Sequence, residues 1–133
     1  MCALTEDQRL YFHYQRRPYN GADVANFLAK LSRKLARPLL IIWDGAKIHF
    51  SHEVKAWLRS LKDNQVWLSK LPAYAPDLNP TEQVWRYLKH VSLANVCARN
   101  LDELATFLDK AFEKLRPKRR LFKAFLRFIG FRL

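Results

Sequence analysis

The run Leu39-Leu40-Ile41-Ile42-Trp43 stops abruptly at Asp44. Five consecutive apolar residues, two of them β-branched, are too few for a buried helix and far short of the ~18–20 that cross a bilayer. The run therefore predicts a short strand buried on both faces. Ahead of it, Val24, Phe27, Leu28, Leu31 and Leu35 recur at i, i+3, i+4, i+7 and i+11 after the turn residues Asn20-Gly21, which predicts an amphipathic helix ended by Pro38. Behind it, Ser51 is placed to cap a second helix with Val54, Trp57, Leu58 and Leu61 on its apolar face; Asp63-Asn64 break that helix, and Gln65 to Ser69 reads as another strand. Strand, helix, strand in this order predicts an α/β fold with a right-handed crossover between parallel strands. Ligand chemistry then belongs at the carboxyl ends of those strands, where Asp44 lies.

The flanking segments extend this pattern. Cys2 to Thr5 and Arg9 to Tyr14 read as a hairpin around Glu6-Asp7-Gln8. Leu71 to Pro80 holds three of the six prolines and predicts an ordered loop without regular structure. Asn79 and Pro80 suit the cap and first position of a helix with Val84, Leu88 and Val91 on one face, which puts Glu82 in its first turn. Asn100 with Glu103 resembles a capping box ahead of Leu101, Leu104, Leu108, Ala111 and Leu115, and a basic-aromatic helix follows over about Lys118 to Ile129. No repeat or Gly/Ser linker interrupts the chain, so 1–133 reads as one domain with a basic helical part at about 100–133.

The chain carries 24 Lys+Arg against 12 Asp+Glu, a formal charge of +12, and residues 114–133 hold eight basic residues and no acid. Such a surplus attracts nucleic acid or another polyanion. The start of the chain lacks an apolar signal segment, and the distant Cys2 and Cys97 form no metal-binding pair, which together suggest a reduced, cytoplasmic protein. His49 and His52 stand at i, i+3 without a Cys or third His nearby, so zinc is not supported.

Asp44 admits two readings: a turn cap above Gly45, or a ligand. The second needs a partner carboxylate, and Glu82, opening a helix after a rigid loop, is the best candidate, although a first-turn acid also suits the helix dipole. Two carboxylates brought together repel unless a cation sits between them, and hard oxygen donors suit Mg²⁺ or Mn²⁺. An acidic pair in a basic chain suggests metal-assisted phosphodiester chemistry. Lys47, Lys70, Arg86 and Lys89 flank these acids and would position a DNA backbone; Arg116, Arg120, Lys123 and Arg127, spaced 4, 3 and 4, would share one helix face, either against phosphates or simply solvated. Opposite them Leu121, Phe122, Phe125, Leu126, Phe128 and Ile129 suit a core better than a membrane surface. Trp43, Trp57, Trp67 and Trp85 read as core. His49 either contacts phosphate or orients the acidic site, or is a capping or core residue.

The stretch 39–49, LLIIWDGAKIH, followed by 71–85, LPAYAPDLNPTEQVW, resembles the DDE catalytic domain of bacterial IS630-type transposases, relatives of the Tc1/mariner group. The second stretch, of the form PxYxPxLNPxExxW, is long and specific. The likeness extends over nearly the whole chain, including Asn20-Gly21-Ala22-Asp23 and Asn95-Val96-Cys97. It implies an RNase H-like mixed sheet with flanking helices and further C-terminal helices, and metal-dependent cleavage and strand transfer of DNA. By motif position Asp44 is the second acid of the triad and Glu82 the third, each a ligand of Mg²⁺ or Mn²⁺.

The resemblance also implies a first Asp on a central strand upstream of the hairpin. Glu6, Asp7 and Asp23 fall in a turn and at a helix start, and none of them fits. The helix-turn-helix region by which such transposases recognise element ends is likewise absent. The expectation is a C-terminal portion of a nucleoid-associated transposase, either completed by an upstream segment or a second copy, or left as a non-catalytic DNA-binding or subunit-interaction remnant. The missing strand would lie between the hairpin and the Asp44 strand, leaving edges that make the isolated chain marginally stable or self-associating.

Overall fold

The computed structural model describes residues 1–62 and 65–131, so the helix break expected at Asp63-Asn64 lies outside the described residues. The fold is mixed α/β, with five α-helices and two two-stranded sheets among the described residues. It divides into two compact units, one made of residues 13–76 with Met1, the other of residues 2–12 and 77–131.

In the first unit, α1 (Gly21–Leu35) begins with a reciprocal cap: Asn20 Oδ1 accepts from the Asp23 N–H at 3.0 Å, and Asp23 Oδ2 accepts from the Asn20 N–H at 2.9 Å. The Arg17 guanidinium grips the same carboxylate at 2.7 and 2.8 Å. Bonded foremost by Arg17, then by the Asn20 backbone, Asp23 is held well below the usual carboxylate range. The helix stops at Ala36, which turns left-handed (φ 49°) and donates its N–H to the Ser32 carbonyl; termination therefore precedes Pro38. Next come β3 (Leu39–Trp43), a 3-10 turn (Lys47–Phe50), α2 (His52–Arg59) capped by Ser51 Oγ, and β4 (Val66–Lys70). As the sequence pattern predicts, β3 and β4 pair in parallel, Leu39 opposite Val66 and Trp43 opposite Lys70.

The core of this unit is Val24, Leu28, Trp43 and Val54, with Ile41, Ile48, Trp57 and Leu58 against it. It covers only one face of the sheet. Leu39 and Trp43 are buried, whereas Leu40 is 64% exposed, Ile42 49% and Trp67 48%. The expectations of two-faced burial for β3 and of a core position for Trp67 are thus corrected. Leu40 and Ile42 alternate with the residues facing α1 and α2, and Trp67 pairs with Leu40 on the uncovered side. Gly21 allows the close approach of α1 to the segment after β3, because a Cβ there would run into Ser51 and Glu53.

In the second unit, β1 (Cys2–Leu4) and β2 (Leu10–Phe12) form the expected antiparallel hairpin, with Cys2 opposite Phe12 and Gln8 left-handed in the turn. A 3-10 turn (Pro76–Leu78) leads to α3 (Pro80–Tyr87), where Asn79 Oδ1 accepts from the Thr81 N–H at 3.1 Å and Pro80 takes the first position. The chain then widens into a π-helical segment (Leu88–Ser92) in which Leu93 N–H reaches the Leu88 carbonyl at 2.9 Å. That widening rotates Val91 away from the face of Val84 and Leu88, and it is 59% exposed, not buried as the spacing predicts.

α4 (Leu101–Leu115) is capped by Asn100 Oδ1, but the Glu103 carboxylate bonds the Arg99 N–H at 2.7 Å in place of the Asn100 N–H. α5 (Arg119–Phe128) closes the unit. Val84, Leu88, Phe112, Leu115 and Phe122 are all but fully buried, and Phe12 stacks on Phe112 with ring centres 3.6 Å apart. Phe128, expected on the apolar face of α5, is 68% exposed. Cys2 and Cys97 are both free thiols, and no helix among the described residues is long and apolar enough to cross a membrane.

Candidate active site

Because β3 and β4 run in parallel and end together, the residues just beyond Trp43 and Lys70 emerge at one edge of the first unit. Asp44 is the first of them, its carboxylate half exposed. Its Oδ1 accepts from the Ala46 N–H at 3.0 Å, the local turn that allows a short acidic side chain to fold back on its own backbone. The same oxygen lies 3.2 Å from His49 Nδ1. The imidazole is fixed by stacking on Trp43, with ring centres 4.8 Å apart and planes within 12°. His49 thus lies against Asp44 and packs on a core residue at the same time, so the site reading and the core reading of this residue both keep a contact.

Lys70 closes the other side. A Cβ on Gly45 would lie 2.8 Å from Lys70 Cε, so the lysine stem passes directly over the glycine that follows Asp44. Its ammonium also sits 5.8 Å from the centre of the Phe50 ring. Sequence reasoning gave Gly45 no weight beyond the turn after Asp44; the structure brings the flexible end of the Lys70 side chain close to it. Lys47 is exposed on the 3-10 turn of the same unit.

Glu82 belongs to the second unit. It is exposed in the first turn of α3, the third helical position after the Asn79 cap. Arg86 follows one turn later on the same face, and Lys89 is exposed on the π-helical segment. The carboxylate is also felt at β1: burial foremost, with the Glu82 charge adding to it, pushes the Cys2 thiol up to about 12. Cys2 is therefore a protonated packing residue at neutral pH.

The basic C-terminal stripe forms in part. Arg120, Lys123 and Arg127 share a face of α5, the first and last exposed. Arg116 does not belong to that helix. It is the C-cap of α4, its guanidinium 5.5 Å from the centre of the Phe12 ring, because the chain turns at Pro117 before α5 begins.

No group of three or more His, Cys, Asp or Glu that could hold a metal occurs among the described residues. The donor chemistry at Asp44 nevertheless suits a hard cation: Oδ1 is oriented, and Oδ2 has no hydrogen bond among the described residues.

A family model described as DDE superfamily endonuclease matches residues 1–105, a span that contains Asp44, Glu82 and every residue just placed around them. The chain belongs to the DDE superfamily endonucleases. It is also similar to an uncharacterised protein of Sinorhizobium fredii, y4pE/y4sA, with 32% identity over 102 residues, 74% of this chain and 70% of the relative. No solved structure matches it. The C-terminal helix α5 lies beyond the stretch that the DDE family model covers.

Proposed function

We propose that this DDE domain is the C-terminal portion of an IS630-type transposase that takes part in cleavage and strand transfer of DNA phosphodiesters. The observation that carries the reading is Asp44: an exposed carboxylate at the carboxyl end of a parallel strand pair, bonded by the Ala46 N–H and His49, with the Lys70 stem passing over the next residue, Gly45. Glu82, exposed at the N-terminal turn of α3, is the second acid of the proposal. Asp44 and Glu82 would hold Mg²⁺ or Mn²⁺, which when bound activates a water or 3′-hydroxyl and stabilises the leaving oxygen. Lys47, Lys70, Arg86 and Lys89 attract and position the phosphate backbone without reading sequence, and Arg120, Lys123 and Arg127 extend the basic surface.

In this reading the sheet is RNase H-like with its first central strand outside the chain, and 1–133 is one truncated catalytic domain whose basic helical part begins near residue 100. The domain would act on element ends and target DNA in the bacterial cytoplasm, completed by an upstream transposase segment or a second copy. A non-catalytic DNA-binding remnant is the second reading, favoured by the positions of Glu6, Asp7 and Asp23, none of which lies on a strand.

Calorimetric titration of Mn²⁺ into the purified chain, with Asp44→Ala as control and circular dichroism on the same samples, separates the two. Binding that is lost in Asp44→Ala supports the catalytic reading. A folded parent chain that takes up no metal sinks it and leaves the DNA-binding remnant.

A further inference from the structure

The loop after β4 carries an aromatic side chain with nothing to do inside the protein. Tyr74 is fully exposed and makes no hydrogen bond, ion pair or ring contact among the described residues. Its backbone is nevertheless left-handed, with φ 57°. Bulky residues rarely occupy that region, where Gly or Asn is the unstrained choice. Gln8 and Ala36 share the conformation, but each closes a hydrogen-bonded turn: Gln8 N–H donates to the Thr5 carbonyl, and Ala36 N–H to that of Ser32. Tyr74 stands in a turn as well, at 73–74, but there Gly or Asn would serve the backbone better, so what the position adds is the exposed ring.

The chain on either side of the ring, and the unit that carries it, say what it would meet. Lys70, four residues earlier, ends β4 and overlies Gly45 beside the Asp44 carboxylate, and exposed Lys47 stands on the same unit. Pro72 and Pro76 bracket the loop and restrict its backbone, so the ring is presented on a stiff support. A stiffly held, solvent-facing aromatic in a basic protein suits the face of an unpaired base, which every nucleotide offers whatever its sequence.

We propose that Tyr74 is a base-stacking residue that holds a single-stranded segment of nucleic acid on the unit that carries Asp44. The proposal rests on the DNA-processing reading and adds to it a contact with the base as well as the phosphate.

The test is fluorescence anisotropy of the full chain with a fluorescein-labelled 20-nucleotide oligothymidine strand, over a series of salt concentrations, for the parent and for Tyr74→Ala, Tyr74→Phe and Lys70→Ala. Tyr74→Ala should weaken binding about tenfold, with the slope of log affinity against log salt unchanged because no phosphate contact is lost. Tyr74→Phe should bind like the parent, Lys70→Ala should reduce the slope, and the melting temperature of Tyr74→Ala should not fall. Parent-like binding by Tyr74→Ala overturns the stacking role alone, as does an equal loss in Tyr74→Phe or a lowered melting temperature in Tyr74→Ala. A parent chain that fails to bind the strand overturns both this role and the nucleic-acid reading beneath it.

Discussion

Asp44 and Glu82 sit in units built on different terms. The second unit packs a hairpin and three α-helices around Val84, Leu88, Phe112, Leu115 and Phe122, all nearly inaccessible. Among the described residues of the first unit only Val54 is as deeply buried, and Leu40, Ile42 and Trp67 line an uncovered sheet face. The difference follows from the number of packing layers. A helix needs one apolar stripe covered, whereas a parallel strand pair has two faces to cover, and α1 and α2 cover only one. The second unit is thus finished by its own elements, and the first offers apolar surface beside its candidate catalytic edge.

The largest effect should expose this contrast directly. Phe112→Ala, which removes a ring stacked on Phe12 and edged by Trp85, should destabilise the chain by about 3–5 kcal/mol in urea denaturation. Ile42→Ala, on the uncovered face, should change stability by no more than about 1 kcal/mol. Equal costs for the two would break the comparison, because they would mean that the uncovered face is occupied in solution.

The same contrast marks where the sequence was readable. Residues whose partners lie within one turn or one hairpin announced themselves: Ser51 ahead of Val54, Asn79 with Pro80, and the polar turn Glu6-Asp7-Gln8 between two extended runs; the cap between Asn20 and Asp23 went unread, since only the Asn20-Gly21 turn was visible. Failures came where the decisive fact was not local. An apolar run states that Leu40 and Ile42 are hydrophobic, but whether anything covers them depends on layers elsewhere. Val91 obeyed a 3.6-residue period that the π-helical segment suspends. Arg116 fell out of its stripe because a proline intervened. At the candidate site, Asp44 and Glu82 were visible as residue types at telling positions; the path of Lys70 over Gly45 and the backbone of Tyr74 were not, since both depend on coordinates with no compositional signature.

An intermediate effect sharpens the picture of the first unit. Gly21→Ala adds a methyl where Ser51 and Glu53 already sit, and should lower stability by about 1–3 kcal/mol in the same urea assay. A smaller cost would show that the start of α1 can withdraw from the α2 cap, and that this unit is looser than its contacts suggest.

The smallest effect is confined to acid. Asp23 has its folded pKa depressed from 3.8, foremost by Arg17, so its contribution is present above the unfolded value and is lost as pH falls through the folded one. Thermal unfolding followed from about pH 5 downward should therefore show the parent losing stability more steeply than Arg17→Ala, whose Asp23 titrates nearer its unfolded value. Parallel curves would remove this clamp from the account of the first unit.

The π-helical segment after α3 is, in effect, a one-residue length adjuster. Its wide turn adds about 100° of rotation for the extra residue, while the axis advances little. Removing a single residue between 88 and 92 would restore ordinary helical phase, bring a later side chain onto the stripe of Val84 and Leu88, and re-aim everything that the chain presents after Lys89. Here the number of residues, more than their identity, sets which side chains point to solvent.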